Sequence, residues 1–283
     1  MKKANNKHKI GDVEIILTFF GKHKFNKANF DVFEPTYSSI RKIYPKNKIQ
    51  IYSDIDIKIN KSDNNLYINK IRSVFDIKNP RYGHRSSNYY RLWGAIKSKS
   101  KVVIYLDADF EILSKEFKLI EVFAEDYGMA IASNPRFTDR VDRKVGVDVL
   151  NRNYKKSDTS KGLGFTFNAG LWAVDTSNKK AIDALKFALK KSLVWFERGN
   201  TTFYNSFRIK KFNPYLLPPQ WCIGNLGVMD GRHLFDDPIV LHLNHPNVKK
   251  AYKNRILLGK VKKNIYFIKS INILRAIKKK LWI

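Results

Sequence analysis

The chain has 283 residues, with 54 Lys and Arg against 25 Asp and Glu, a formal net charge of +29. Hydrophobic residues make up 43% and aromatic residues 13%, enough apolar material to bury a core and too much for a disordered chain. The lone cysteine, Cys222, excludes a disulfide framework and a zinc site built on cysteine clusters, and it suits a reducing compartment.

Length allows one large α/β domain or two small ones. The opening MKKANNKHKI is basic with no apolar run behind it, so no signal peptide is expected. No stretch approaches the roughly 18 uninterrupted apolar residues of a membrane span. A soluble, cytoplasmic protein is the expectation.

Val13–Phe20 is a continuous apolar run ending at Gly21 and predicts a buried strand. Phe30–Tyr44 predicts a helix stopped by Pro45, and Lys48–Ser53 a second strand. Ser86–Ser98 predicts a helix, followed by a short apolar strand over Lys101–Leu106 that enters Asp107. Met129–Ser133 predicts another strand, and the polar stretch Thr138–Leu163 a long loop. Gly164–Asp175 predicts a strand and turn, Asn178–Phe196 a helix, and Ile239–Leu243 a late strand. Strands alternating with helices predict an α/β fold, with a mostly parallel central sheet flanked by helices. Ligands of such sheets bind beyond the carboxyl ends of the strands, so the motifs that follow the apolar runs matter most.

The strongest motif is KVVIYLDADFEIL, residues 101–113. A buried strand delivers Asp107 and Asp109 at its end, separated by the small Ala108. Two carboxylates at that spacing reach one hard cation, Mg²⁺ or Mn²⁺, whose shell substrate phosphates usually complete. Arg91, on the helix sixteen residues earlier, suits a carboxylate or a sugar-phosphate oxygen. Asn168, Ala169 and Gly170 interrupt an apolar stretch, offering an amide for a polyol and room for a ligand against the backbone. His242 follows the late strand and supplies an imidazole suited to a metal shell, and Lys249 and Lys250 come after Pro246.

Taken in order, these motifs resemble the nucleotide-diphospho-sugar transferases of GT-A fold. They are most similar to glycosyltransferase family eight, which includes glycogenin and the bacterial lipooligosaccharide galactosyltransferases. The resemblance spans roughly Val13 to Lys250, giving a Rossmann-like transferase domain over residues 1–250 and a basic tail over 251–283. It implies Asp107, Asp109 and His242 as ligands of Mn²⁺ or Mg²⁺, and Arg91 and Asn168 as donor-sugar contacts. It implies Lys249 on the diphosphate, Thr18 and Phe19 beside the nucleotide base, and Asp54 as a further nucleotide contact. The donor implied is a nucleotide-sugar, UDP-linked, and the acceptor a glycan or lipid-linked glycan in surface polysaccharide or lipooligosaccharide synthesis.

The match departs from the family pattern where an Asp-Gln-Asp segment is usual. Here the residues are Asn200, Thr201 and Thr202, which offer an amide and hydroxyls but no carboxylate. The family's Gly three residues after the late His is His245 here, and the Lys comes one step later. Retention is the expected stereochemistry, with Asn168 and Asn200 near the anomeric carbon. An inverting reaction needs a general base, for which Glu197 and Asp230 stand as candidates.

The Asp pair also fits a Mg²⁺-dependent phosphatase or nucleotidyltransferase. The haloacid-dehalogenase-like phosphatases, however, want Thr or Val where Glu111 stands. The charge itself fits nucleic acid, an anionic membrane or phosphate-bearing small molecules. Its distribution separates these. Residues 238–283 hold twelve Lys and Arg and no acid. Within them Phe267, Ile271, Leu274, Ile277 and Leu281 recur at helical spacing, with Lys278, Lys279 and Lys280 largely off that stripe. A basic amphipathic C-terminal helix of this kind suits peripheral attachment to the cytoplasmic face of a membrane. Nucleic acid is not the expected partner.

Overall fold

The computed structural model describes residues 12–21, 27–57, 63–79, 81–137, 165–194, 199–223 and 238–243. The domain boundary at residue 250, the basic tail and Lys249 lie outside these residues, as do Glu197, Asp230, His245 and the loop expected over Thr138–Leu163.

Nine strands and five α-helices are found among the described residues. In chain order they are β1 (Val13–Phe19), α1 (Lys27–Ile43), β2 (Lys48–Ser53), β3 (Leu66–Lys70), α2 (Tyr82–Lys97), β4 (Val102–Leu106) and β5 (Phe110–Ile112). After these come α3 (Leu119–Tyr127), β6 (Met129–Phe137), β7 (Phe165–Asp175), α4 (Lys179–Ser192), α5 (Gly199–Ile209), β8 (Tyr215–Leu217) and β9 (Val240–His242). Seven strands form one sheet in the order β3-β2-β1-β4-β7-β6-β8. Every pairing is parallel except those of β7, which runs antiparallel to β4 and to β6. The mostly parallel sheet flanked by helices is therefore as the sequence predicts.

The central strands read as apolar runs because both of their faces are covered. Ile15, Leu17, Ile104 and Leu106 point to the face packed by α1 and α3. Ile16, Val103 and Tyr105 point to the opposite face, packed by α2, α4 and α5. Helix α1 turns Phe33, Tyr37 and Ile40 into the first layer, a three- and four-residue spacing that keeps one stripe inward. Helix α4 does the same on the other side with Ala181, Ala184, Leu185 and Ala188. It starts at Asn178, whose side-chain oxygen accepts from Ala181 N at 3.0 Å.

The late strand departs from expectation. β9 covers only Val240–His242 and does not join the main sheet. It pairs antiparallel with β5 in a separate two-stranded ribbon, His242 opposite Phe110. This pairing brings the end of the described chain back to the turn that carries the Asp pair.

Candidate active site

The site forms where β4 ends. Asp107 N donates to Gly170 O at 2.7 Å, tying the strand end to β7. The chain then turns, with Phe110 N donating to Asp107 O at 3.2 Å, and enters β5. Helix α1 pins that turn through Thr36 Oγ1, which donates to Ala108 O at 2.7 Å. The ribbon pins its other side, where Leu243 N donates to Asp109 O at 2.6 Å. Ala108 is thus held by its backbone, and the acids on either side of it are fixed.

Asp107, Asp109 and His242 converge. Each offers one ligand atom, and those atoms all lie within 4.8 Å of one another. His242 Nε2 stands 3.3 Å from Asp109 Oδ2, and its ring stacks on Phe110 with centroids 4.4 Å apart. Burial alone would lower the pKa of this imidazole, but the Asp109 carboxylate and the Cys222 thiol raise it well above the ordinary histidine value. Two carboxylate oxygens and one imidazole nitrogen are a donor set for Mn²⁺ or Mg²⁺, with positions left for substrate oxygens.

Asn168 and Gly170 build the wall beside the acids. Asn168 Oδ1 accepts from Gly170 N at 2.9 Å, and its Nδ2 donates to Cys222 Sγ at 3.0 Å. Cys222 thus touches a candidate sugar-binding amide and the imidazole alike, a role that nothing in its sequence context signals. Asn200, at the start of α5, accepts from Ala169 N at 2.9 Å. Its oxygen supports the Asn-Ala-Gly backbone.

Arg91 is 4% exposed, and its Nη1 donates to Ala169 O at 2.8 Å. Its guanidinium lies 5.3 Å from the ring centres of both Tyr105 and Phe203. A buried cation held by one carbonyl and two aromatic faces places positive potential against the Asn-Ala-Gly backbone and Tyr105.

The family resemblance implies Thr18 and Phe19 beside a nucleotide base. In the structure both side chains turn into the protein. Phe19 is 4% exposed and packs edge-on against Phe33 at 4.9 Å. Thr18 is 6% exposed, with its hydroxyl 2.9 Å from Tyr105 OH. Asp54 bridges the carboxyl ends of β1 and β2 by accepting from Gly21 N at 3.1 Å and 3.3 Å. A separate open cavity of about 410 Å³ lies between β2, β3 and α2, lined by Gln50, Tyr52, Asn69 and Trp93, and holds none of the site residues.

No family model and no curated protein sequence matches the chain. Solved structures do match. Galactosyltransferase LgtC, solved with donor and acceptor sugar analogues, is similar at TM-score 0.53 and 13% identity, over 82% of this chain and 87% of LgtC. Glycosyltransferase GlyE of Streptococcus pneumoniae TIGR4 is similar at TM-score 0.51 and 15% identity, over 91% of this chain and 63% of GlyE. The bifunctional glycosyltransferase WbbM is similar at TM-score 0.51 and 12% identity, over 86% of this chain and 47% of WbbM. At these identities the likeness is one of fold. The chain has the GT-A glycosyltransferase fold, resembling family eight.

Proposed function

We propose that the protein is a metal-dependent glycosyltransferase that moves a hexosyl group from a UDP-linked nucleotide-sugar to a glycan or lipid-linked acceptor. The observation that carries this reading is the convergence of Asp107, Asp109 and His242 at the carboxyl end of the sheet, on a fold shared with LgtC. Asp107, Asp109 and His242 would hold Mn²⁺ or Mg²⁺, which when bound supplies Lewis-acid charge to a departing diphosphate. Arg91 adds fixed positive potential against the Asn-Ala-Gly backbone without itself being open to solvent. Asn168 and Asn200 would present amide groups toward the sugar, and Lys249, outside the described residues, would meet the diphosphate. Asp54, at the ends of β1 and β2, lies on the nucleotide side. In this reading the acids of the site are committed to the cation and its neighbours are amides. Retention is the stereochemistry this reading expects; Glu197 and Asp230, the candidate bases for inversion, lie outside the described residues.

The acid-free basic tail suits attachment to anionic lipid, so the enzyme would work at the cytoplasmic face of a membrane in surface polysaccharide or lipooligosaccharide synthesis. Removing residues 264–283 should then abolish binding to anionic vesicles and leave donor hydrolysis intact.

Incubation with a panel of nucleotide-sugars and Mn²⁺ tests the reaction. Release of a nucleoside diphosphate with transfer or hydrolysis of the sugar supports the reading. No nucleoside diphosphate from any donor, with inorganic phosphate released from a phosphomonoester or pyrophosphate released from a nucleoside triphosphate plus a sugar 1-phosphate in parallel assays, assigns the Asp pair to phosphatase or nucleotidyltransferase chemistry instead.

A further inference from the structure

We propose that Tyr105, backed by Thr18, is a positioning residue that sets the Asp107 carboxylate for cation binding. The inference rests on the metal reading of the Asp107, Asp109 and His242 cluster.

Strand alternation puts residues 105 and 107 on the same side of β4. Tyr105 OH reaches Asp107 Oδ1 at 2.5 Å. A carboxylate only accepts, so the single phenolic hydrogen is given to Asp107. The phenol oxygen is then left as an acceptor, and Thr18 Oγ1, 2.9 Å away, donates to it. The polarity of the chain is fixed throughout: Thr18 to Tyr105 to Asp107.

Register explains why Thr18 is the partner. Ile16 of β1 pairs with Tyr105 of β4, so Thr18, two residues on, lies on the same face and beside the strand end. The phenol ring has no freedom to swing away. It is fully buried, stacks on Trp172 at 5.4 Å and 24°, and has the Arg91 guanidinium 5.3 Å from its centre. Trp172 is also its direct partner in the β4–β7 pairing. One oxygen of Asp107 is thereby held in the protein, and Oδ2 lies against Gly170. Outer hydrogen bonds of this kind orient a metal-binding carboxylate before the ion arrives.

The assignment gives Thr18 a task behind the metal site rather than beside a nucleotide. It also gives a polar duty to a tyrosine that otherwise reads as core filler in an apolar strand.

The test is a titration of the full-length protein with Mn²⁺, with free ion followed by electron paramagnetic resonance, on Tyr105→Phe, Thr18→Val, Thr18→Ser and Asp109→Asn. Tyr105→Phe keeps the ring and its stack on Trp172. Its Mn²⁺ affinity is expected to fall about 10–100-fold. Thr18→Val should fall less, Thr18→Ser should match the parent, and adding Thr18→Val to Tyr105→Phe should cost nothing further, because the two act in series. In turnover, the Mn²⁺ concentration for half-maximal rate should rise while kcat at saturating Mn²⁺ stays near the parent value, a split that simple loss of packing does not produce. Parent-like Mn²⁺ affinity in Tyr105→Phe, with affinity lost in Asp109→Asn, overturns the positioning role and leaves the metal site standing. Parent-like affinity in both variants removes the metal site and the proposal with it. If Tyr105→Phe does not fold, Thr18→Val decides, and unchanged affinity there overturns the role.

Discussion

Gly170 lies flat against the carboxylate of Asp107. A Cβ on residue 170 would stand 2.5 Å from Asp107 Oδ2, and also 3.0 Å from both Asn168 Oδ1 and Phe110 Cε2. Three site residues share the space that a methyl group would take. Gly170→Ala must therefore push the carboxylate off its position, because Gly170 O is itself bonded to Asp107 N. We expect a loss of about 1–3 kcal/mol in stability from overpacking, and a fall of about 10–100-fold in Mn²⁺ affinity. Thermal unfolding and a Mn²⁺ titration on the same sample measure both. An alanine variant with unchanged metal affinity would show that the pocket has slack.

Cys222 should matter through its sulfur as an acceptor. Cys222→Ala leaves Asn168 Nδ2 without its partner, a cost of at most about 1–3 kcal/mol for this part-buried donor. If that cost falls on donor binding, KM for the nucleotide-sugar rises with little change in kcal-scale stability. Cys222→Ser keeps an acceptor and should sit between the parent and Cys222→Ala. Steady-state kinetics on the pair check this. Equal kinetics for both variants would mean that the contact is packing alone.

Acid sensitivity should come in part from Asp63, well away from the site. Its carboxylate accepts from Tyr37 OH at 2.6 Å, Arg41 Nε at 2.6 Å and Asn65 N at 3.0 Å. Burial pushes its pKa up, but these partners outweigh that and hold it below the ordinary value of 3.8. A depressed folded pKa means that the stabilisation is complete above the unfolded value and is lost as pH falls through the folded one. The melting-temperature gap between the parent and Asp63→Asn should stay constant from neutrality to about pH 4 and close below it. A gap that persists undiminished at pH 2 would contradict the ion-pair account.

The chemistry of the site was more legible in the sequence than its supports. Asp107 and Asp109 stand out because a five-residue buried strand ends directly at them. Arg91, Asn168 and Asn200 carry chemical types that point to a sugar-phosphate ligand, and all three meet on the Asn-Ala-Gly backbone. Tyr105 and Cys222 were not legible as site residues. Their roles follow from β-pairing and from chain segments far apart in sequence, which spacing along the chain does not report. Several elements were missed for local reasons. β3 reads LYINK, half exposed at the sheet edge, with no apolar period to mark it. α5 begins Gly-Asn-Thr-Thr, a poor helix-forming run, and is held instead by Phe203 and Phe207 packed one turn apart on the core. β9 looked like a sheet strand because it is apolar, yet it pairs with β5 and, through Leu241, with Ile223, apart from the main sheet.

The central claim is that the Asp pair holds a cation for a nucleoside diphosphate. Isothermal titration of UDP into the parent and into the Asp107→Asn/Asp109→Asn variant, each with and without Mn²⁺, tests it most directly. The account predicts that Mn²⁺ strengthens UDP binding to the parent and has no effect on the folded double variant. The same Mn²⁺-dependent gain in both proteins would contradict it.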